Sequence, residues 1–239
     1  MCGRFAMDKD VDDLIQAFVA DGGRAQDWRP TFSMAPTMVA PLVREHRGRD
    51  GAVKRELEPA SWGFTPGWGK PGGRAPINAR LETVATNGLF KRAFAGARAI
   101  VPMSGYFEWQ QQDDGKQPYY LHGPDGASGL LAAAAVGAAR KEGDGWAISF
   151  AIITRQARDA SGEVHDRMPV FLGPETWQRW LDPEPVEGTH ATDLVHLLEE
   201  TSSRVAATMT HYAVNRKVNN SRAVDPEDPT LIQPLQDDA

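Results

Sequence analysis

The sequence predicts an α+β fold, a single domain in which a largely antiparallel, barrel-like β-sheet forms the core and a few helices flank it. Short runs rich in β-branched and aromatic residues outnumber the helical stretches and do not alternate with them as a doubly wound parallel sheet requires. Turn-forming clusters such as Pro71-Gly72-Gly73 and Asp113-Asp114-Gly115 separate those runs. A chain of 239 residues can bury one sizeable core, taken here as residues 1–235, with 236–239 a short disordered tail.

The first element is a helix. Val11, Leu14, Ile15 and Phe18 repeat at i, i+3, i+4 and i+7 behind Asp8 and an acidic first turn. Strand-like runs follow at 38–43, 53–57, 98–102, 106–110, 119–122, 130–136, 146–154 and 209–214, with further helices at 82–94, 175–181 and 193–200. Between the last two lies an acidic, proline-containing loop, 182–189. Strand alternation puts Glu108 on the same face as Tyr106 and turns Trp109 to the other.

Composition narrows the function classes. The formal net charge of −6 argues against a protein that coats DNA indiscriminately. The charge is uneven, however: within 68–98, Lys70, Arg74, Arg80, Lys91, Arg92 and Arg98 face only Glu82. Such a stretch suits a confined phosphate-bearing ligand, and equally a solvated surface with scattered charge. A single cysteine forms no intramolecular disulfide and no cysteine-based metal site, so the sequence implies no metal and no cofactor, in a reducing cytoplasm. No leader precedes Cys2 and no apolar run reaches the roughly 18 residues that span a bilayer. The expectation is an unexported, cytoplasmic monomer with no membrane partner.

That one cysteine is Cys2. Removal of Met1 would leave a primary amine and a thiol on one residue, and such an aminothiol captures aldehydes: the amine forms an imine and the thiol closes a five-membered thiazolidine. An α-amine titrates near pH 8, so roughly a tenth is unprotonated at neutral pH, and closure gains an effective concentration on the order of 10⁵ M. Position alone also allows a small buried hydrophobe.

Four segments offer partners for this chemistry. In 77–83, Asn78 can hydrogen-bond a substrate oxygen with its amide and Arg80 presents a fork that fits a phosphate, or they form a helix cap and an Arg80–Glu82 surface pair. In 105–109, Glu108 is either a poorly solvated carboxylate among aromatic rings, poised for proton transfer, or an exposed edge-strand residue. In 164–170, His165 is the best general acid–base candidate of the six histidines, with Arg167 on the same side as a second phosphate contact; the alternative is a surface histidine beside an Asp–Arg pair. In 62–68, Trp68 on a Pro-Gly turn suits stacking on a nucleobase, whereas Trp62 reads as core.

Met1-Cys2-Gly3-Arg4-Phe5, Ile77-Asn78-Ala79-Arg80, Gly105-Tyr106-Phe107-Glu108-Trp109, His165-Asp166-Arg167-Met168-Pro169 and Val218-Asn219-Asn220 together resemble the SRAP (SOS-response-associated peptidase) family of abasic-site processing proteins, in the same order and over nearly the whole chain. The resemblance implies capture of the ring-opened abasic aldehyde in single-stranded DNA as a thiazolidine on Cys2, with Asn78, Glu108 and His165 completing the catalytic site; an imine at C1′ would also acidify the neighbouring carbon and so allow a strand-cleaving lyase side reaction. It implies DNA contacts at Arg80 and Arg167, to which position adds Arg4 and Trp68. Ser33 stands where members usually have Asn, and Gly88-Leu89 replaces longer side chains before Phe90. Two rival readings are an N-terminal-nucleophile cysteine peptidase or amidohydrolase using Cys2 with His165 or Glu108 as base, and a non-covalent reader of damaged DNA.

Overall fold

The computed structural model describes residues 2–20, 28–48, 50–69, 75–125, 129–221 and 223–236. In chain order the elements are β1 (Phe5–Met7), α1 (Val11–Phe18), β2 (Thr31–Met34), β3 (Val39–Arg47), β4 (Val53–Trp62), β5 (Asn78–Arg80), α2 (Leu81–Val84), α3 (Lys91–Gly96), β6 (Arg98–Met103), β7 (Gly105–Gln112), β8 (Gly115–His122), β9 (Leu131–Glu142), β10 (Gly145–Gln156), α4 (Asp159–Val164), β11 (Arg167–Pro169), α5 (Trp177–Leu181), α6 (Gly188–Ala206) and β12 (Thr210–Ala213).

Five of these strands close into a barrel. β10 pairs with β4, β4 with β3, β3 with β6, β6 with β9, and β9 returns to β10 as a hairpin running from Gly145↔Glu142 to Ile152↔Ala135. Only the β4–β10 seam is parallel, at Ser61↔Ser149 and Trp62↔Phe150. β9 carries four consecutive alanines, Ala132–Ala135, buried on both faces of the strand. Such small side chains let neighbouring layers approach a wall that is covered inside and out. Trp62 stacks on Phe150 and meets Phe5 at 5.1 Å, and its indole N–H is satisfied by the Ile77 carbonyl at 2.9 Å.

A second, wholly antiparallel sheet runs β12-β8-β7-β1-β2. Gly105 makes one of its seams possible, because a Cβ there would stand 2.5 Å from the Tyr120 hydroxyl and 2.6 Å from the Leu121 carbonyl oxygen. The C-terminal part of β10 leaves the barrel and acquires two short neighbours. β5 joins in parallel with Arg80 opposite Thr154, and β11 joins antiparallel with Pro169 opposite Thr154 and Arg167 opposite Gln156. One strand thus gathers two segments far apart in sequence.

The expected fold class is the one observed, and the differences are local. α1 is capped by Asp10, whose carboxylate accepts from Asp13 N–H at 2.9 Å; Asp8 instead accepts from the Ser104 hydroxyl. The helix expected over 82–94 is two helices, α2 and α3, because β-branched Thr83, Val84 and Thr86 lead into Asn87-Gly88, where the Asn87 side chain accepts from Leu89 N–H and builds a turn. The helix expected over 193–200 extends to the full α6. Arg98 is not part of a basic face. It is buried, donating to the carbonyls of Phe94, Ala95, Trp180, Asp182 and Glu184, and so closes the C-terminal ends of α3 and α5. Lys70, Arg74, Pro71-Gly72-Gly73 and the terminal 237–239 lie outside the described residues. No described helix is long and apolar enough to cross a membrane.

Candidate active site around Cys2

Cys2 enters β1, and β1 lies against β7 with Phe5 opposite Tyr106 and Phe107 N–H donating to the Arg4 carbonyl. Continued toward the N-terminus, this antiparallel register carries Cys2 alongside the β7 segment that holds Glu108. From the other side, Asn78 on β5 donates its Nδ2 to the Cys2 carbonyl at 2.8 Å. The Asn78 amide nitrogen therefore meets the Cys2 backbone. Asn78 Oδ1 is buried with no hydrogen-bond partner among the described residues, which leaves an unused acceptor close to Cys2.

Glu108 is 3% exposed, so it is no edge-strand surface residue. Burial among Tyr106, Phe107 and their neighbours raises its pKa to about 7, with the nearby Asp166 charge adding in the same direction. Cys2 is fully buried, and its thiol pKa is pushed well above the ordinary thiol value, first by burial and then by the proximity of Glu108. The thiol is consequently protonated at neutral pH, while Glu108 is divided between its acid and base forms.

His165 is the extended residue that ends α4, and its Nε2 lies 3.9 Å from Glu108 Oε2. Two groups meet its Nδ1: Arg167 N–H at 3.0 Å and the Asp166 carboxylate at 2.8 Å. The first requires a lone pair on Nδ1, the second a proton. Asp166 has an 84% exposed side chain and is screened by solvent, whereas burial is the largest influence on the ring and lowers its pKa. Burial thus favours the neutral imidazole, whose Nε2 faces Glu108 Oε2.

The residues expected to meet DNA are arranged less uniformly. Arg167 holds both carboxylate oxygens of Glu82, at 2.6 and 3.0 Å, and also donates to the Thr154 carbonyl at 2.7 Å. Arg80 is exposed at the end of β5 and lies near enough to Glu82 to help lower that carboxylate's pKa, with Arg167 the larger cause. The surface pair thus forms chiefly between Glu82 and Arg167. Trp68 is 70% exposed and lines a groove with Phe64, Leu89 and Arg92. Arg4 is buried, donating from Nη1 to Ser33 Oγ at 2.8 Å and to the Val218 carbonyl at 3.3 Å. The Val218-Asn219 segment serves as a clip, for Asn219 Oδ1 accepts from Trp109 Nε1 at 2.7 Å, next to Glu108 on the strand. Ser161 on α4 was not anticipated, since serine in a polar loop carries no distinguishing signal; nor was the Glu82–Arg167 pair, whose partners are 85 residues apart. Among the described residues, no group of three or more His, Cys, Asp or Glu is placed to hold a metal ion.

The two-sheet fold thus brings a buried cysteine just before β1 together with the Asn78 amide, the Glu108 carboxyl and the His165 imidazole. The chain belongs to the SRAP family, SOS response associated peptidase, whose model matches residues 1–221. It is similar to the abasic site processing protein YedK of Escherichia coli, with 33% identity over 98% of this chain and all of the relative. It is also similar to the abasic site processing protein HMCES of Xenopus tropicalis, with 29% identity over 95% of this chain and 77% of the relative. Among solved structures, a protein from Bacteroides thetaiotaomicron shares the fold with a TM-score of 0.77 at 21% identity, covering 98% of this chain and all of its own. A phage-related protein from Bordetella bronchiseptica matches with a TM-score of 0.65 at 28% identity, covering 90% and 94% of the two chains.

Proposed function

We propose that this protein processes abasic sites in DNA, and that it does so by capturing the ring-opened sugar aldehyde of a single strand as a thiazolidine on Cys2 after Met1 is removed. The observation that carries the reading is a carboxylate with a pKa of about 7 buried beside a cysteine whose thiol is neutral. It suits a reaction that needs one group to serve in turn as acid and base.

The ionisation states set the order of steps. A protonated, buried thiol is a poor first nucleophile, so the Cys2 amine adds to the C1′ carbonyl and gives a carbinolamine. Glu108 in its acid form protonates the hydroxyl, which leaves as water, and an iminium that keeps its N–H remains. The Glu108 carboxylate then takes the thiol proton as sulfur bonds to the same carbon, the C=N π pair returns to nitrogen, and Glu108 is again an acid. The sum is aldehyde plus aminothiol giving thiazolidine plus one water. His165, neutral with Nε2–H toward Glu108, holds the sugar oxygen freed by ring opening. Asn78 fixes the Cys2 backbone and offers Oδ1 to the amine, an orientation effect.

A missing base leaves nothing to read at the lesion, so recognition rests on phosphates and stacking. Arg80 is available as it stands. Arg167 reaches a phosphate by exchanging Glu82 for it, and Trp68 offers a platform worth about 1–3 kcal/mol per stacked base. Intact-protein mass spectrometry with an abasic single-stranded oligonucleotide tests the reading. The expected product lacks Met1 and weighs the sum of protein and oligonucleotide less one water. A Cys2→Ser protein that forms an equally heat-stable adduct would exclude the thiazolidine.

A further inference from the structure

We propose that Tyr106 and Ser161 are positioning residues for His165, anchoring α4 to β7 and so fixing the backbone that carries the imidazole beside Glu108. The inference rests on the reading above in giving His165 a part in the reaction. Tyr106 OH donates to Ser161 Oγ at 2.8 Å, and the backbone N–H of His165 donates to the Ser161 carbonyl at 3.0 Å as the last bond of α4. Tyr106 and Glu108 share one face of β7, so the acid and the tether of the imidazole stand on the same rigid strand.

α4 needs such a tether. Six residues are too few for a helix to persist unaided, its N-cap Arg158 makes no side-chain capping bond, and its first residue, Asp159, has a left-handed φ of 52°. Other ties lie on its exposed side: Gln110 Nε2 to the Glu163 carbonyl at 3.3 Å, and Glu163 with His211 at 2.9 Å. The Tyr106–Ser161 bond is buried at both ends, where loss of one partner strands the other. Burial keeps the Tyr106 hydroxyl protonated, so it remains a donor throughout the working pH range. Its ring packs separately on Phe171, with centroids 5.8 Å apart, and Tyr106→Phe therefore removes the tether while keeping the packing.

Tyr106→Phe and Ser161→Ala are to be compared in single-turnover crosslinking to an abasic single strand as a function of pH, alone and on a His165→Gln background. Each is expected to slow crosslinking about tenfold, part of the 10²–10⁴-fold that a positioned acid or base supplies, and to displace the pH profile. On the His165→Gln background neither should slow it more than about twofold, since coupled residues do not add. A full tenfold loss on that background, or an unmoved pH profile in both variants, overturns the proposal. Imidazole nitrogen NMR of His165 in the protein without DNA separates this inference from the function it rests on. If the unaltered protein forms no adduct yet both substitutions move the His165 titration, covalent capture fails and the positioning stands. If adducts form and neither substitution moves that titration, the positioning fails alone.

Discussion

Arg98 and Cys2 lie in two buried polar clusters of the same molecule, and the clusters differ in how completely their hydrogen bonds are made. The Arg98 guanidinium gives its donors to five carbonyl oxygens at the ends of α3 and α5 and in the loop beyond. Around Cys2, Asn78 Oδ1 is buried without a partner among the described residues, and the Glu108 carboxyl titrates near 7. A saturated cluster can only hold the fold together, because any ligand would have to displace a bond already formed in a dry site. An unsaturated one keeps capacity for a substrate, at a cost to stability. Burial of charge alone does not separate the two clusters; unfilled hydrogen-bonding and titrating capacity does.

The largest expected effect sharpens this contrast. Cys2→Ser should lower heat-stable adduct formation more than about a hundredfold while leaving the thermal midpoint within a few degrees, as read on denaturing gels and by calorimetry. Arg98→Ala should do the reverse, with a loss of about 3–5 kcal/mol in denaturant titration from stranding several buried carbonyls. An Arg98→Ala protein of undiminished stability would break the comparison.

Glu108→Gln comes next and tests both sides at once. Crosslinking should slow by about tenfold to a hundredfold in single-turnover assays. Its stability effect has a definite sign. The folded pKa, about 7, lies above the ordinary carboxylate value of 4.5, so the contribution of the protonated group is complete below pH 4.5 and is lost as pH rises through 7. Relative to the unaltered protein, the variant should therefore gain up to about 3 kcal/mol by pH 8 compared with the difference at pH 4, as followed by urea melts. A pH-independent difference would mean that Glu108 is not held in its acid form.

The smallest effects lie at the rim. Arg167→Ala should weaken binding of intact single strands a few-fold and reduce the salt slope by about one; Glu82→Gln should strengthen binding about twofold to fivefold by freeing the fork. If Glu82→Gln weakens binding, the carboxylate orients Arg167 rather than competing with phosphate.

Much of the fold was legible because hydrophobic periodicity survives wherever an element is long enough to display it: α1, the strands β3, β4 and β6–β10, and α6 all fall where their patterns lie. β1, β5 and β11 have three residues each, too few to show a period, and exist because a neighbouring strand offers bonds. The same division runs through the site. Cys2, Glu108 and His165 could be singled out from residue type and local context, since a lone cysteine near the start, a carboxylate among aromatic residues and a histidine before an apolar run each carry chemical meaning by themselves.

What the chain determined on its own was therefore the fold class and the principal elements, and it singled out Cys2, Glu108 and His165 as candidates from residue type and local context. Tertiary structure decided that Asn78 holds the Cys2 backbone, that Arg98 closes helix ends whereas Arg167 pairs with Glu82, and that Ser161 joins α4 to β7. Those assignments depend on the direction and burial of side chains across β10 and β7. Direction and burial come into being only when distant strands pair, so no local pattern can record them.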